Sequence, residues 1–304
     1  MRYRLLCFLT ALTVMFVPVL ALAEVFKDEV VYARLSPAGK AEAVYQVNSF
    51  ETPEAADVLD YGDYTEVQPL GTAGAFEYRD GLATIRLLPG RFNYQGTLKA
   101  DTLPWVFSLT YLLDGKEMAP ADLSGASGHL EAVLFVTPNE AMKQYADSLT
   151  LQVTVTLDSD KCFNIKAEKA TQAVAGGSRT LSYVILPGQP AEYRFSADVR
   201  DFSMQGVQAA AIRMEMDAEM YQRVAAQAMA GSPLEGAVGG IMGSFMQGLQ
   251  GRQAVSFADS RNAVRSLQFV MMFGGVPAPE KAEQPPEEPQ AQNVWERFLR
   301  LFGG

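Results

Sequence analysis

Few residues of this chain could carry out covalent or metal chemistry. His129 is the single histidine, so a Ser-His-Asp site would have to be built around it. Ser124 and Ser127 lie too close to it in sequence to indicate such a site, and there is no G-x-S-x-G motif. Besides Cys7, only Cys162 is present, and one histidine with one cysteine cannot form a His/Cys zinc site. We predict no catalytic residue, and we interpret Cys162 as a small buried residue.

Asp57, Asp60 and Asp63 are the weak metal candidates of the sequence. They stand three residues apart around Tyr61 and Gly62, and oxygen-rich loops of this kind can bind Ca²⁺. The spacing does not fit the EF-hand pattern, and a solvated Asp-Gly turn is the alternative that turn preferences favour. There is no Walker A or G-x-G-x-x-G motif, so we predict no nucleotide and no cofactor.

The sequence leaves open a carboxylate pair for glycoside hydrolysis, because the fold, not the spacing, brings such a pair together. Trp105, Tyr111 and Tyr183 could stack on sugars if they were exposed. Residues of this type in alternating strands more often belong to the core or to cross-strand pairs. An extracellular carbohydrate-active enzyme or glycan-binding protein is therefore kept as the alternative function.

The N-terminus has the layout of a secretory signal peptide. Arg2 and Arg4 precede an uncharged apolar stretch, and Ala21-Leu22-Ala23 ends it with small residues at the −3 and −1 positions before Glu24. We predict cleavage after Ala23 and an extracytoplasmic location, secreted or associated with the cell envelope. A retained membrane anchor is the alternative, because the segment is about long enough to span a bilayer.

The predicted mature chain is acidic and has one cysteine. It keeps 23 basic and 35 acidic residues, a formal net charge of −12. Nucleic acid is therefore excluded as a partner, since its binding requires a basic footprint. With Cys162 alone, no intramolecular disulfide can form, so the fold must depend on its core, on a partner or on a membrane.

Residues 25–216 show short strands separated by turns, which is typical of antiparallel sandwiches. Leu149 to Leu157 is the clearest strand, because apolar residues alternate strictly with Thr and Gln. Glu140 to Ala146 is predicted to form a short helix. The fold class is therefore mainly β, with two antiparallel β-sandwich-like domains, a short α-helical insertion and a C-terminal amphipathic helix.

The predicted organisation has six parts, which the composition delimits. They are a signal peptide (1–23), an N-terminal β domain (24–98), a second β domain (99–216 plus 254–275), a helical insertion (217–253), a Pro/Glu-rich linker (276–292) and a C-terminal helix (293–304). In the insertion, Gly and Ser recur every four residues between 236 and 248, which is a spacing found where helices approach closely. A soluble helical hairpin packed on the sheet, or a poorly ordered insertion, is the favoured alternative to a membrane-associated segment.

The C-terminal helix is the predicted docking element. Trp295, Phe298, Leu299 and Phe302 stand at i, i+3, i+4 and i+7 and form one apolar face. A helix this short is unstable alone in water, so we expect it to bind the membrane surface or an envelope protein. Docking back onto the protein's own β region is the alternative.

Several segments together resemble an uncharacterised family of exported, membrane-associated proteins of Gram-positive bacteria, grouped with phage-infection-protein-like ectodomains. The matching stretches are Lys27–Ala33, Asp60–Tyr64, Pro104-Trp105, Leu112–Glu117, Thr156–Cys162, Leu186–Gly188 and Ser266–Val270. The resemblance implies an envelope location and no established activity. We therefore expect a non-enzymatic exported interaction or structural module of the cell envelope.

Overall fold

The computed structural model describes residues 24–99, 102–213 and 254–279. These residues form a mainly β fold, as predicted. The strands are β1 (Phe26–Leu35), β2 (Ala41–Thr52), β3 (Ala56–Tyr61), β4 (Tyr64–Pro69), β5 (Ala75–Arg79), β6 (Leu82–Leu87), β7 (Gly90–Leu98), β8 (Trp105–Leu113), β9 (Lys116–Met118), β10 (Gly128–Pro138), β11 (Thr150–Asp158), β12 (Cys162–Ala167), β13 (Thr171–Ala175), β14 (Ser178–Ile185), β15 (Ala191–Val199), β16 (Val207–Ile212) and β17 (Ser266–Phe273). The predicted signal peptide, the helical insertion, the C-terminal helix and most of the linker lie outside the described residues.

Helical structure in the described ranges is short. The predicted helix at 140–146 is present as a 3₁₀ turn, Glu140–Met142, followed by one α-helical turn, α1 (Lys143–Ala146). The side chain of Asn139 caps this segment by accepting a hydrogen bond from the Ala141 N–H. A second 3₁₀ turn covers Pro120–Leu123. No helix in these ranges is both long and apolar enough to cross a membrane.

The strands assemble into three sheets. The largest has the order β13-β14-β11-β16-β17-β1-β2-β7-β4, the second has the order β12-β15-β10-β8-β9, and the third has the order β3-β6-β5. Neighbouring strands pair in the antiparallel sense, as predicted, except that β1 and β17 run parallel. The first and last described strands are therefore neighbours in the middle of the large sheet.

Strand β11 shows how the sequence pattern produces the core. The side chains of Leu151, Val153 and Val155 are buried, whereas that of Gln152 between them is exposed. Successive side chains of a strand point to opposite faces, so the period of two in the sequence becomes one buried face and one solvent face. This confirms the strand predicted from Leu149 to Leu157.

One face of the large sheet is covered by both smaller sheets, and this creates two hydrophobic cores. The five-stranded sheet packs on β1, β17 and the strands beyond them, where Trp105 meets Phe269 edge-on with ring centroids 5.6 Å apart. The three-stranded sheet packs on β2 and β7, where Phe76 lies 5.7 Å from Phe92. The large sheet thus contributes residues to both cores.

The predicted boundary near residue 99 runs through this shared sheet. Strands β1, β2, β4 and β7 come from the predicted N-terminal domain, and β11, β13, β14, β16 and β17 come from the second. The two cores follow the predicted division only in part, because Val31 and Val44 of the N-terminal segment belong to the larger core. The division into two domains stays a prediction.

Candidate functional site

The buried charged residues of the described ranges, Lys27, Glu29 and Asp60, lie at the junction of the two cores. Going along the inner face of β2, Val44 belongs to the larger core and Phe50 to the smaller one. Between them stand two fully buried polar residues, Gln46 and Asn48. On the neighbouring strand β1, Glu29 pairs in register with Asn48. The junction is therefore polar although the surfaces on either side of it are apolar.

Lys27 is the centre of this buried cluster. Its ammonium nitrogen lies 2.7 Å from Oε1 of Glu29 on the same strand and 2.5 Å from Oδ1 of Asp60 on β3. The exposed fraction is 5% for Lys27, 0% for Glu29 and 1% for Asp60. Charged side chains are almost never buried to this degree unless they are paired, and here one cation holds two carboxylates.

Both carboxylates accept further hydrogen bonds. Tyr94 donates its hydroxyl to Oδ2 of Asp60 at 2.5 Å. Ser256 donates its hydroxyl to Oε1 of Glu29 at 2.6 Å, and the Phe257 N–H donates to Oε2 at 2.8 Å. A buried charge cluster avoids a large desolvation cost only when such additional bonds are made.

Burial raises the pKa of two members of the cluster, Asp60 and Tyr94. Desolvation raises the pKa of Asp60, while the charge and hydrogen bond of Lys27 oppose that rise. Burial, together with the Asp60 charge, also raises the pKa of Tyr94. Tyr94 therefore stays protonated and donates its hydroxyl to Asp60.

The cluster also fixes the chain segment that follows residue 253. Ser256 and Phe257 bind Glu29, and Tyr145 donates its hydroxyl to the Ser256 carbonyl at 2.8 Å. Asn262 pairs with the backbone of Tyr61, accepting from the N–H at 2.9 Å and donating to the carbonyl at 2.7 Å. The segment 254–262 is thus joined to both β1 and β3.

The geometry of the cluster suits a structural role better than acid–base catalysis. Two carboxylates of a glycosidase flank the bond that they cleave and must be open to the sugar. Here the space between Glu29 and Asp60 is filled by the Lys27 ammonium, and both carboxylates are closed to solvent. A surface depression of about 930 Å³ has Lys27 in its lining. Two arginines that also line it already have carboxylate partners, since Arg261 is paired with Asp259 and Arg265 with Asp28.

The three aspartates proposed as calcium candidates are separated in the structure. Asp57 is exposed and pairs with Arg86 at 2.5 Å, and Asp63 is exposed and pairs with Lys99. Asp60 is buried in the cluster. Within the described ranges, no group of three or more His, Cys, Asp or Glu side chains could hold a metal ion. The structure does not bring these aspartates together as one site.

The other sequence candidates are placed as follows. Nδ1 of His129 lies 2.8 Å from Oδ1 of Asp198, and both side chains are about half exposed. The Ser127 hydroxyl accepts a hydrogen bond from the Asp201 N–H. Cys162 is buried, as predicted, and burial raises the pKa of its thiol to about 11.

The aromatic residues considered for sugar stacking are core residues. Trp105, Tyr111 and Tyr183 are 4%, 1% and 1% exposed. Each stands at an inward position of its alternating strand, which is why they are buried. These three side chains therefore cannot stack on a sugar at the protein surface, and they belong to the core. The docking residues Trp295, Phe298, Leu299 and Phe302 lie outside the described residues.

Sequence analysis missed Lys27 and Glu29, although a signal was present. Both occupy the same alternate positions of β1 as Val31, Ala33 and Leu35, whose side chains point inward. Charged residues at inward positions of a strand indicate a buried pair or a site. The sequence does not indicate their partner, because Asp60 is brought to Lys27 by the packing of one sheet on another.

Comparisons with known proteins give a distant structural likeness. No family model and no curated protein matches this chain. Among solved structures, the Fcho1 mu homology domain of Danio rerio with bound Eps15 peptide aligns with a TM-score of 0.38 and 10% identity, covering 83% of this chain and 94% of that one. The yeast delta-COP-I mu-homology domain aligns with a TM-score of 0.39 and 9% identity, covering 82% and 94%. The same yeast domain complexed with a Dsl1 WxWxV peptide gives a TM-score of 0.41, 8% identity and coverages of 82% and 95%. At this level the likeness carries no conclusion about ligand or activity.

Proposed function

We propose that this protein is a non-enzymatic, extracytoplasmic interaction module of the cell envelope, which docks through its C-terminal amphipathic helix. The observation that carries the proposal is the burial of Glu29 and Asp60, the two carboxylates that converge on Lys27. Glu29 and Asp60 are occupied by Lys27 and by the hydrogen bonds of Tyr94 and Ser256. The cluster therefore holds two cores together, and a function of the module has to come from its surface and its termini.

The C-terminal segment supplies the docking element in this proposal. Its apolar face, formed by Trp295, Phe298, Leu299 and Phe302, follows a linker rich in Pro and Glu. From this composition we expect an extended linker, which would give the helix reach beyond the β fold. Trp suits the depth of a membrane interface, and Arg297 and Arg300 favour a surface with anionic headgroups.

Liposome co-sedimentation tests the proposal. The chain from Glu24 to Gly304 is compared with one ending at Gln292, on vesicles of neutral and of partly anionic lipid. We expect the full chain to partition measurably more, with a modest affinity because the helix is short. A pull-down from envelope extracts with the same two chains covers docking on a protein. Equal behaviour of both chains in both assays would contradict the docking role.

A further inference from the structure

Among the described residues, strand β13 forms an open edge of the largest sheet. It pairs with β14 on one side, and no described strand pairs with its other side. All five of its residues, Thr-Gln-Ala-Val-Ala, are exposed, and Val174 has 65% of its surface accessible. The row of backbone N–H and C=O groups on an open edge is a template for a further strand.

The other edges of the described sheets carry protective features. These are Glu66, Pro69 and a register shift on β4, Lys166 and a register shift on β12, Lys116 and Glu117 on β9, Asp57 and Asp60 on β3, and Glu77 and Arg79 on β5. Charges, prolines and bulges are the devices by which natural sheets prevent strand addition. Of the six edges in the described ranges, β13 alone has none of them.

We propose that β13 pairs with β13 of a second copy of this chain, in the antiparallel sense about a twofold axis. A twofold axis through the edge uses the same strand of both copies, as isologous interfaces do. With Ala173 at the axis, it faces Ala173 of the partner subunit, and Gln172 faces Val174 of the partner subunit. No like charges lie opposite each other in this register, so a strand without charges is complementary to itself.

The length of the edge sets the strength of this contact. Five residues per copy form an interface smaller than the roughly 1,200 Å² that stable complexes bury at least. The dimer is therefore weak and depends on concentration. It is independent of the C-terminal helix, so a chain ending at Gln292 dimerises equally well, and failure of one proposal leaves the other standing.

Sedimentation equilibrium tests the dimer with the chain from Glu24 to Gly304, at about 10 µM to about 1 mM, where weak interfaces dissociate. We expect the weight-average mass to rise toward that of a dimer. Ala173→Lys and Ala173→Glu each place like charges opposite each other at the axis and should weaken association at least about tenfold. An equimolar mixture of the two variants should restore it, because opposite charges then meet.

Ala75→Lys is the matched control. Ala75 is exposed on β5, which is another edge strand, so the same substitution is made on an edge that is already charged. We expect wild-type association for this variant. Thermal unfolding of each variant confirms that it is folded. A wild-type mass that stays monomeric over the whole range would overturn the proposal. So would equal effects of the substitutions at 75 and 173, or a mixture of the two charged variants that does not associate.

Discussion

Replacing Lys27 by Met should destabilise the protein more than replacing either carboxylate. Met has a similar length and fills the same space, but the variant loses both ion pairs, at 2.7 Å to Glu29 and 2.5 Å to Asp60. Breaking a buried pair by removing one partner costs about 3–5 kcal/mol, because a buried charge remains unpaired. Since two carboxylates remain here, we expect a loss of at least about 3–5 kcal/mol at about pH 8. Asp60→Asn keeps the Lys27–Glu29 pair and should cost less.

The loss caused by Lys27→Met should depend on pH in a defined direction. Burial raises the pKa of Asp60, and Lys27 is the main group that opposes this, so the pKa rises further in the variant. A carboxyl whose pKa is raised by folding takes up a proton more readily in the folded chain. The penalty is therefore complete above the folded-state pKa and fades as the pH falls toward the unfolded value. The difference between variant and wild type should be smaller at about pH 5 than at about pH 8.

Urea unfolding of the wild type and the variant at both pH values measures these differences. A triple variant, Lys27→Met with Glu29→Gln and Asp60→Asn, is the control for packing, because it has no buried charge and should recover part of the stability at about pH 8. Lys99→Met removes an exposed pair with Asp63 and should change little. A Lys27→Met variant within about 1 kcal/mol of wild type, or a deficit that does not shrink on acidification, would refute the assignment of the cluster.

Two further predictions concern the larger core. Val153→Asp should cost several kcal/mol because it places an unpaired charge at a fully buried position, whereas Thr154→Asp on the opposite face of β11 should cost much less. Equal melting temperatures of these two variants would be incompatible with the observed packing. Cys162, whose thiol has a pKa raised by burial to about 11, should react slowly with a thiol reagent at about pH 8 and rapidly in denaturing urea. Fast labelling of the folded protein would contradict its burial.

The sequence pattern predicts the strands but not which strands pair with each other. The alternation in β11 predicts its buried face because the period of two is local to the sequence and separates the two faces of the strand. The parallel pairing of β1 with β17 joins segments more than 230 residues apart, as Asp28 opposite Ser266 shows. No local pattern specifies such a pairing, so the sequence does not predict that one large sheet supports both cores.

The candidate site was missed for a related reason. The spacing of Asp57, Asp60 and Asp63 suggests one site, but Asp57 and Asp60 lie on strand β3, where residues three apart point to opposite faces. Asp57 is therefore exposed and Asp60 buried. Trp105 was considered for sugar stacking although its strand places it inward. The alternation of inward and outward positions along each strand indicates that Asp60 is buried and that Trp105 is not available for stacking.

Membrane binding of two single-residue variants shows whether the protein docks through its C-terminal helix. Phe298→Ser changes the predicted apolar face, and Glu296→Ser changes the polar face of the same helix. Both are compared with the wild-type chain on lipid vesicles and on native envelope membranes, which contain lipid and envelope proteins. We expect Phe298→Ser to lose most of the binding, because the helix binds by burying its apolar face. Glu296→Ser should bind like the wild type. Equal binding of all three chains would contradict docking through this helix.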